Sequence, residues 1–270
     1  MEMNVMTRSG LLFVSLVILL FLMINSKNVF SADIYTHTSD PGSIKSIVIE
    51  GKIVNGDYNK FIKQVKENKG DVLSVYIFSP GGNFSEAIKI GRAIRKLDLN
   101  TTIPSQDDDG RPACQIMKSD KFRNFLPVPN NEKNCICASS CFFIFIGGVS
   151  RGGSHVIVHR PYFDRSDFGK LSENEAKKEF EKLETIASEY MMEMGVPKHI
   201  QDEILGTPSE KAIVLDEKTV KTYFHGFIPY RHEWLQSKCG EEKDDENVRD
   251  CYIAVNEERR HTAYNKFFVK

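Results

Sequence analysis

Residues 72–97 read VLSVYIFSPGGNFSEAIKIGRAIRKL, and a change of period inside this stretch decides the fold class. Val72 to Phe78 is a run of β-branched and aromatic residues without sustained polar alternation, as expected of a strand buried on both faces. From Phe84 to Leu97 the apolar positions Ala87, Ile88, Ile90, Gly91, Ala93, Ile94 and Leu97 mostly share one helical face. Between them, Ser79-Pro80-Gly81-Gly82 interrupts both periods with the residues that make tight turns. A buried strand that turns directly into an amphipathic helix is half of a strand–helix–strand unit. It predicts an α/β domain with right-handed crossovers.

The neighbouring sequence continues the alternation. Upstream, Ile44 to Ile53 reads as a first strand, preceded by a short linker from Asp33 to Ser43 that contains Pro41-Gly42. Asn55-Gly56 is a turn signal, and Asp57 suits the cap of a helix carrying Tyr58, Phe61, Ile62 and Val65, which Lys69-Gly70 ends. Downstream come a short strand, Leu99 to Ile103, and a polar insertion from Pro104 to Asn134 whose length suggests a functional or disulfide-tied loop. An apolar helix follows from Ala138 to Ile146 and stops at Gly147-Gly148; Ser154 to His159 is again a strand. A long helix runs from Ser172 to Gly195, opened by the box-like Ser172-Glu173-Asn174-Glu175. No internal repeat is present. The last forty residues are charged, carry the only tryptophan, Trp234, and read as an appended subdomain or tail.

With 270 residues, 41% of them hydrophobic and 27% charged, the chain is neither disordered nor fibrous. Lys+Arg of 36 against Asp+Glu of 37 gives a net charge of −1, so no field of one sign exists to attract nucleic acid. A mean hydropathy of −0.33 excludes a polytopic membrane protein. The apolar residues are nonetheless concentrated at the start: Leu11 to Ile24 form a run broken only by Ser15, after Arg8 and before the small-residue stretch Val29-Phe30-Ser31-Ala32. That is the pattern of a secretory signal cut after Ser31 or Ala32, covering residues 1–32. The alternative is an uncleaved anchor that associates with the membrane through residues 11–24 and faces the periplasm, although the run is short for a bilayer that needs about 20 residues. Either way the chain is expected to be exported, in a periplasmic setting.

Export gives the six cysteines a meaning, because they form an even set where disulfides persist. Cys239 and Cys251 flank the charged stretch Gly240 to Asp250 and can close it as a loop. Cys114 lies across the polar insertion from Cys135, Cys137 and Cys141. Six cysteines allow 15 pairings, so spacing alone leaves connectivity open. A zinc site is the rival reading for Cys114 with the C-x-C-x3-C cluster, but the spacing is not that of paired zinc ligands.

Three segments hold chemistry in common: SPGG at 79–82, CASSCFFIFIGG at 137–148 and HVIVHRP at 155–161. Pro-Gly-Gly at the end of a buried strand lets backbone N–H groups face a site without Cβ obstruction; its bland role is a turn. Ser139 and Ser140 open an apolar helix, where N–H donors would favour an oxyanion; the bland role is a helix N-cap. His159 ends a β-branched strand before Arg160-Pro161, and its bland role is a core or edge histidine.

As an ordered set, Ser79-Pro80-Gly81-Gly82, Ala138-Ser139-Ser140-Cys141 and Val158-His159-Arg160-Pro161 resemble the motifs of the Clp protease proteolytic subunit and its exported relatives, across about residues 44–228. The resemblance implies a Clp/crotonase-type α/β spiral of ββα units, a single domain with residues 229–270 as a C-terminal extension. It implies Ser139 as nucleophile, His159 as general base, and the backbone N–H groups of Gly81 or Gly82 and of Ser140 as the oxyanion hole. It also implies a peptide or protein substrate, no cofactor and no metal, and a homo-oligomer packed through the long helices. The activity implied is that of an exported serine hydrolase, a peptidase acting by Ser-His acyl transfer. The alternative is a catalytically degenerate member of the fold, serving as a periplasmic binding or assembly module.

The sequence departs from that family at three places. The segment Leu215 to Gly226 resembles the helix after the family's aspartate, but the expected acid position falls near Ala212, with Glu210 and Asp216 only as neighbours. The gap between the nucleophile helix and the histidine strand is shorter, and Cys141 stands where the family has glycine. Related folds use other chemistry. Signal peptide peptidase A pairs its serine with a lysine, yet neither Lys89 nor Lys170 is placed beside Ser139 by the sequence; crotonases bind acyl-coenzyme A, which an exported chain seldom meets. Asp107-Asp108-Asp109-Gly110 lacks the ligand alternation of a calcium loop, and the remaining histidines show no ligand spacing.

Overall fold

The structure, a computed structural model, describes residues 31–39, 44–114, 126–163, 165–241 and 245–269. The expected leader, apart from Ser31 and Ala32, lies outside these residues. No helix among the described residues is long and apolar enough to cross a membrane.

The chain is α/β around a mostly parallel six-stranded sheet, ordered β1 (Asp33–Thr38), β2 (Lys45–Glu50), β3 (Val72–Phe78), β4 (Asn100–Thr102), β7 (Ser150–Gly152) and β10 (Gly226–Phe227). Its centre is β2 (Lys45–Glu50) and β3 (Val72–Phe78), paired in parallel and joined through helix α1 (Asp57–Glu67). Ile47, Val48 and Ile49 of β2 and Val75 and Ile77 of β3 are all fully buried, as strands covered on both faces require. Helix α2 (Phe84–Lys96) carries the chain from β3 to β4 (Asn100–Thr102), again in parallel, and β4 pairs in parallel with β7 (Ser150–Gly152). Asn83 caps α2 by accepting from Glu86 N–H, and the buried face is the one expected from the spacing.

Two elements differ from the sequence expectations. Asp33–Thr38 is not a linker but β1, an antiparallel edge strand on β2. Its Thr-rich alternation is half-buried, which suits an edge and weakens the apolar signal. The strand expected at Ser154–His159 shortens to β8 (Ile157–Val158) and leaves the main sheet, pairing instead with β9 (Ile213–Val214). Asp57 is likewise not the cap of α1. Gly56 holds that position, and the buried Asp57 carboxylate accepts from Val54 N–H and Ser31 Oγ.

The polar insertion contains a small hairpin, β5 (Ser105–Gln106) with β6 (Pro112–Ala113), and the disulfide Cys114–Cys135 ties its ends. Buried Glu50 holds the returning loop by accepting from the N–H groups of Asn130 and Asn131. Helix α3 (Ser140–Phe145) is buried in every residue, consistent with the apolar run Cys141–Phe145 that follows Ser140. After the short α4 (Arg165–Phe168), the long helix is α5 (Glu173–Glu193), opened by the full capping box of Ser172 and Glu175. Two further helices, α6 (Lys198–Gly206) and α7 (Glu217–Phe224), lead to β10 (Gly226–Phe227), which closes the far edge antiparallel to β7.

The charged C-terminal residues form α8 (Pro229–Cys239) and α9 (Glu246–Phe268), joined by the disulfide Cys239–Cys251. They dock through charge as much as through apolar contact. Arg231, fully buried, pairs with the buried Asp98 at the end of α2, and Arg259 approaches the same carboxylate at 3.6 Å. Trp234 lies under the guanidinium groups of Arg231 and Arg259 and the ammonium of Lys238.

Candidate functional site

The third disulfide, Cys137–Cys141, spans the serine pair. All six cysteines are thus in disulfides, the cysteine chemistry of an oxidising compartment, and the four expected near a zinc site are used in two pairs.

Residues 136–139 run between two partners. On one side Ser79 N–H donates to Ile136 O and Ala138 N–H to Ser79 O; on the other, Ile157 N–H donates to Cys137 O and Ser139 N–H to Ile157 O. The chain then reverses into α3 at Ser139, with φ 56° and ψ −120°. A non-glycine residue in this region costs about 1–3 kcal/mol, so the surrounding hydrogen bonds must impose it. A serine on such a strand-to-helix turn is the arrangement that presents a nucleophilic hydroxyl. Ser139 occupies the N-cap position of α3 without making a capping hydrogen bond, and its Oγ has no hydrogen-bond partner among the described residues. Ser140 differs: it is buried, and its Oγ donates to Gly82 O at 2.8 Å.

Pro80-Gly81-Gly82 packs directly on this turn. Gly81 has φ +96°, and a Cβ there would lie 2.6 Å from Ala138 O, 2.7 Å from Ser139 Cβ and 2.9 Å from Ser140 N. Only glycine permits that approach. Gly81 N–H donates to Ser79 Oγ at 3.0 Å, so it is spent inside the turn. Gly82 N–H and Ser140 N–H donate to no acceptor among the described residues. Glu86, in the first turn of α2, steadies this end: burial pushes its carboxyl up, but Lys89 and the N–H groups of Tyr58 and Gly56 outweigh that and hold it below the ordinary value.

At the other end of α3, two arginines take up the terminal carbonyls. Arg95 donates to Ile146 O, Gly147 O and Gly148 O, and buried Arg151 donates to Ile146 O, Gly148 O and Met194 O. Burial, with the positive charge of Arg95 beside it, pulls the Arg151 guanidinium down to about 9. Tyr190 Oη donates to Phe143 O from α5. The sequence reading missed all three of these side chains. No local motif marks them: Arg95 and Tyr190 reach carbonyls far away in sequence, and Arg151 turns back onto the nearby Ile146 and Gly148 and across to Met194, a geometry set by the packing.

His159 lies two residues beyond Ile157, the residue that accepts from Ser139 N–H, and one residue past the end of β8. It is buried, and its ring meets Tyr162 with centroids 5.6 Å apart. Its Nδ1 is 2.8 Å from Arg160 O. A carbonyl only accepts, so Nδ1 carries a proton, and Nε2 is the nitrogen not committed to this contact. Among the described residues no hydrogen bond joins Ser139 Oγ to this ring.

The neighbouring acids do not orient His159. Asp216 is exposed and spends its carboxylate capping α7 at Thr219, which holds it below the ordinary value; Glu210 is exposed in a short 3-10 turn. The two lysines are also engaged elsewhere, Lys89 with Glu86 and Lys170 with Asp167. Among the described residues no group of histidine, cysteine and carboxylate side chains is arranged to hold a metal ion. No protein-family model matches the chain, and no curated protein matches it.

Proposed function

We propose that the chain is an exported, periplasmic serine hydrolase of the Clp/crotonase type, acting on peptide or protein substrates by acyl transfer. The observation that carries this reading is the conformation of Ser139: a serine at a helix N-cap that forgoes the capping bond, held at positive φ with its hydroxyl unengaged. In this reading Ser139 Oγ attacks the acyl carbon while His159 Nε2 takes its proton, after a rotation that brings the ring onto the hydroxyl. The N–H groups of Gly82 and Ser140 receive the developing oxyanion. The Arg160 carbonyl does what a carboxylate does elsewhere for tautomer and orientation, but being neutral it stabilises the imidazolium less, so turnover is slow.

A second reading has its own observation. His159 lacks both a carboxylate partner and a hydrogen bond to Ser139 among the described residues, which suits a relative that keeps the fold as a binding or assembly module. A fluorophosphonate probe separates the two. Labelling of the native protein that disappears in Ser139→Ala and falls sharply in His159→Ala is the expected result. A native protein that takes up no probe, or a Ser139→Ala variant that labels equally, ends the hydrolase reading.

A further inference from the structure

We propose that the Cys137–Cys141 disulfide is the positioning element of this site, and that its closure is the maturation step that makes Ser139 reactive. The inference rests on the reading of Ser139 as nucleophile and adds how that site is regulated.

The bond is placed across the turn it would control. Cys137 belongs to the segment pinned between Ser79 and Ile157, and Cys141 belongs to the first turn of α3. The three residues between them are Ala138, Ser139 and Ser140, with the positive-φ residue in the middle. Joining the two sulfurs fixes the distance between the end of the extended segment and the start of the helix, the dimension that a change in Ser139 φ alters.

Without that link the segment has an ordinary alternative. An N-cap serine usually takes an extended φ and turns its hydroxyl back onto the free N–H groups of the first helical turn. That conformer relieves the backbone at Ser139 and satisfies the helix start, but it occupies the hydroxyl in a hydrogen bond and removes it from attack. The turn therefore has two discrete arrangements, capped and reactive, and the disulfide selects the second.

The selection follows the compartment. In a reducing compartment the two cysteines are thiols and the capped arrangement is open to the chain; in an oxidising one the disulfide forms. Closure is an exchange with a disulfide-bearing oxidant, a protein or small-molecule disulfide. One cysteine thiolate attacks a sulfur of the oxidant and expels a thiolate, giving a mixed disulfide. The second cysteine thiolate then displaces the remaining thiol, so the oxidant leaves as two thiols and the chain gains one S–S bond. Cys137 and Cys141 are both fully buried in the folded chain, so thiols in solution have no direct access afterwards. The device is a one-way maturation, not a reversible sensor. Neither other disulfide spans the serine: Cys114–Cys135 closes the insertion, and Cys239–Cys251 joins α8 to α9.

The test compares Cys137→Ala/Cys141→Ala with Cys239→Ala/Cys251→Ala in the full exported chain, reading fluorophosphonate labelling at Ser139 and far-ultraviolet circular dichroism. The expected result is a fall of about 100-fold in labelling rate for the first pair, the scale of a misplaced reacting group. The second pair should keep the native rate, and both should retain secondary structure. A first-pair variant that labels at the native rate overturns the proposal. If that variant does not fold, the protein is titrated with dithiothreitol in urea just below its unfolding transition, where local opening admits the thiol to the buried bond, then alkylated and mapped by mass spectrometry. Labelling must then be lost in step with opening of Cys137–Cys141, and loss that tracks another pair overturns the proposal. If the native protein takes up no probe at all, the hydrolase reading fails by itself. The positioning role is then read by hydrogen exchange of a peptide spanning residues 137–145, where faster exchange after loss of the disulfide supports it and unchanged exchange overturns it.

Discussion

Replacing Gly81 by alanine tests the close approach on which the site depends. Two costs arise, and a matched control separates them. The first is conformational: at φ +96° a Cβ costs about 1–2 kcal/mol. Gly195, at φ +77° with nothing within 4 Å of its added Cβ, meets only that cost and serves as the control. The second is steric and belongs to Gly81 alone. Its Cβ would lie 2.6 Å from Ala138 O and 2.7 Å from Ser139 Cβ, so the Pro80–Gly82 segment and the serine turn must part, at a further ~1–3 kcal/mol. Gly81→Ala is therefore expected to lose ~2–5 kcal/mol and Gly195→Ala ~1–2 kcal/mol, at ~2–4 °C of melting temperature per kcal/mol for a domain of this size. The same separation displaces Ser139 from Gly82 N–H, so labelling by the fluorophosphonate probe should fall by about 100-fold in Gly81→Ala and stay unchanged in Gly195→Ala. Calorimetry and labelling on both variants provide the check. Equal melting temperatures and equal labelling would show that Gly81 does not press on the serine turn.

Three further outcomes follow from other contacts. Arg151→Met takes the donor from Met194 O at the end of α5, while Ile146 O and Gly148 O keep Arg95; at about 1–3 kcal/mol for the stranded carbonyl it should lower the melting temperature more than the exposed control Arg111→Met. Arg231→Met leaves the buried Asp98 carboxylate only the more distant Arg259 and should cost about 3 kcal/mol in chemical denaturation, with Arg231→Met/Asp98→Leu recovering part of the loss. Burial holds the His155 imidazole below its ordinary value against the opposing pull of Asp107, so the native chain resists a proton that the unfolded chain accepts near pH 6.5. Stability is therefore complete above about pH 6.5 and is lost as pH falls from there toward the lower folded value; the melting temperature of His155→Gln should decline less steeply between pH 7 and 5.5 than that of the native chain.

The fold was most legible where a single segment carried its own period. Val72–Phe78 and Phe84–Lys96 emerge as expected because each buries a face that its sequence pattern marks, and Ser172 with Glu175 announces the long helix through a purely local hydrogen-bond exchange. Elements defined by distant partners were not legible. The strand Asp33–Thr38 reads as a linker because an edge needs little apolar character, and β7, with the sequence Ser-Arg-Gly, shows no strand signal at all. Ile157–Val158 carries a strand signal, but only its partner β9 determines which sheet it joins. At the site, the motifs located Gly81, Gly82, Ser139, Ser140 and His159 within a few residues of one another through backbone pairing. They could not distribute the work among them. That Gly81 N–H turns to Ser79, that Ser140 turns to Gly82, and that Nδ1 of His159 turns to Arg160 O are consequences of backbone torsions, which residue identity leaves open. Disulfide connectivity was undetermined for the same reason.

The link between Asp98 and Arg231 bears on the order in which the chain acquires its structure. The two residues are 133 positions apart, and Arg259 lies further on still. A carboxylate at the end of α2 thus has no cationic partner in its pocket until the chain has been made through Arg231. The strands and helices around it can assemble earlier, but that assembly carries an uncompensated buried charge and remains easy to reverse. Completion awaits α8 and α9, a long-range closure of the kind that slows folding.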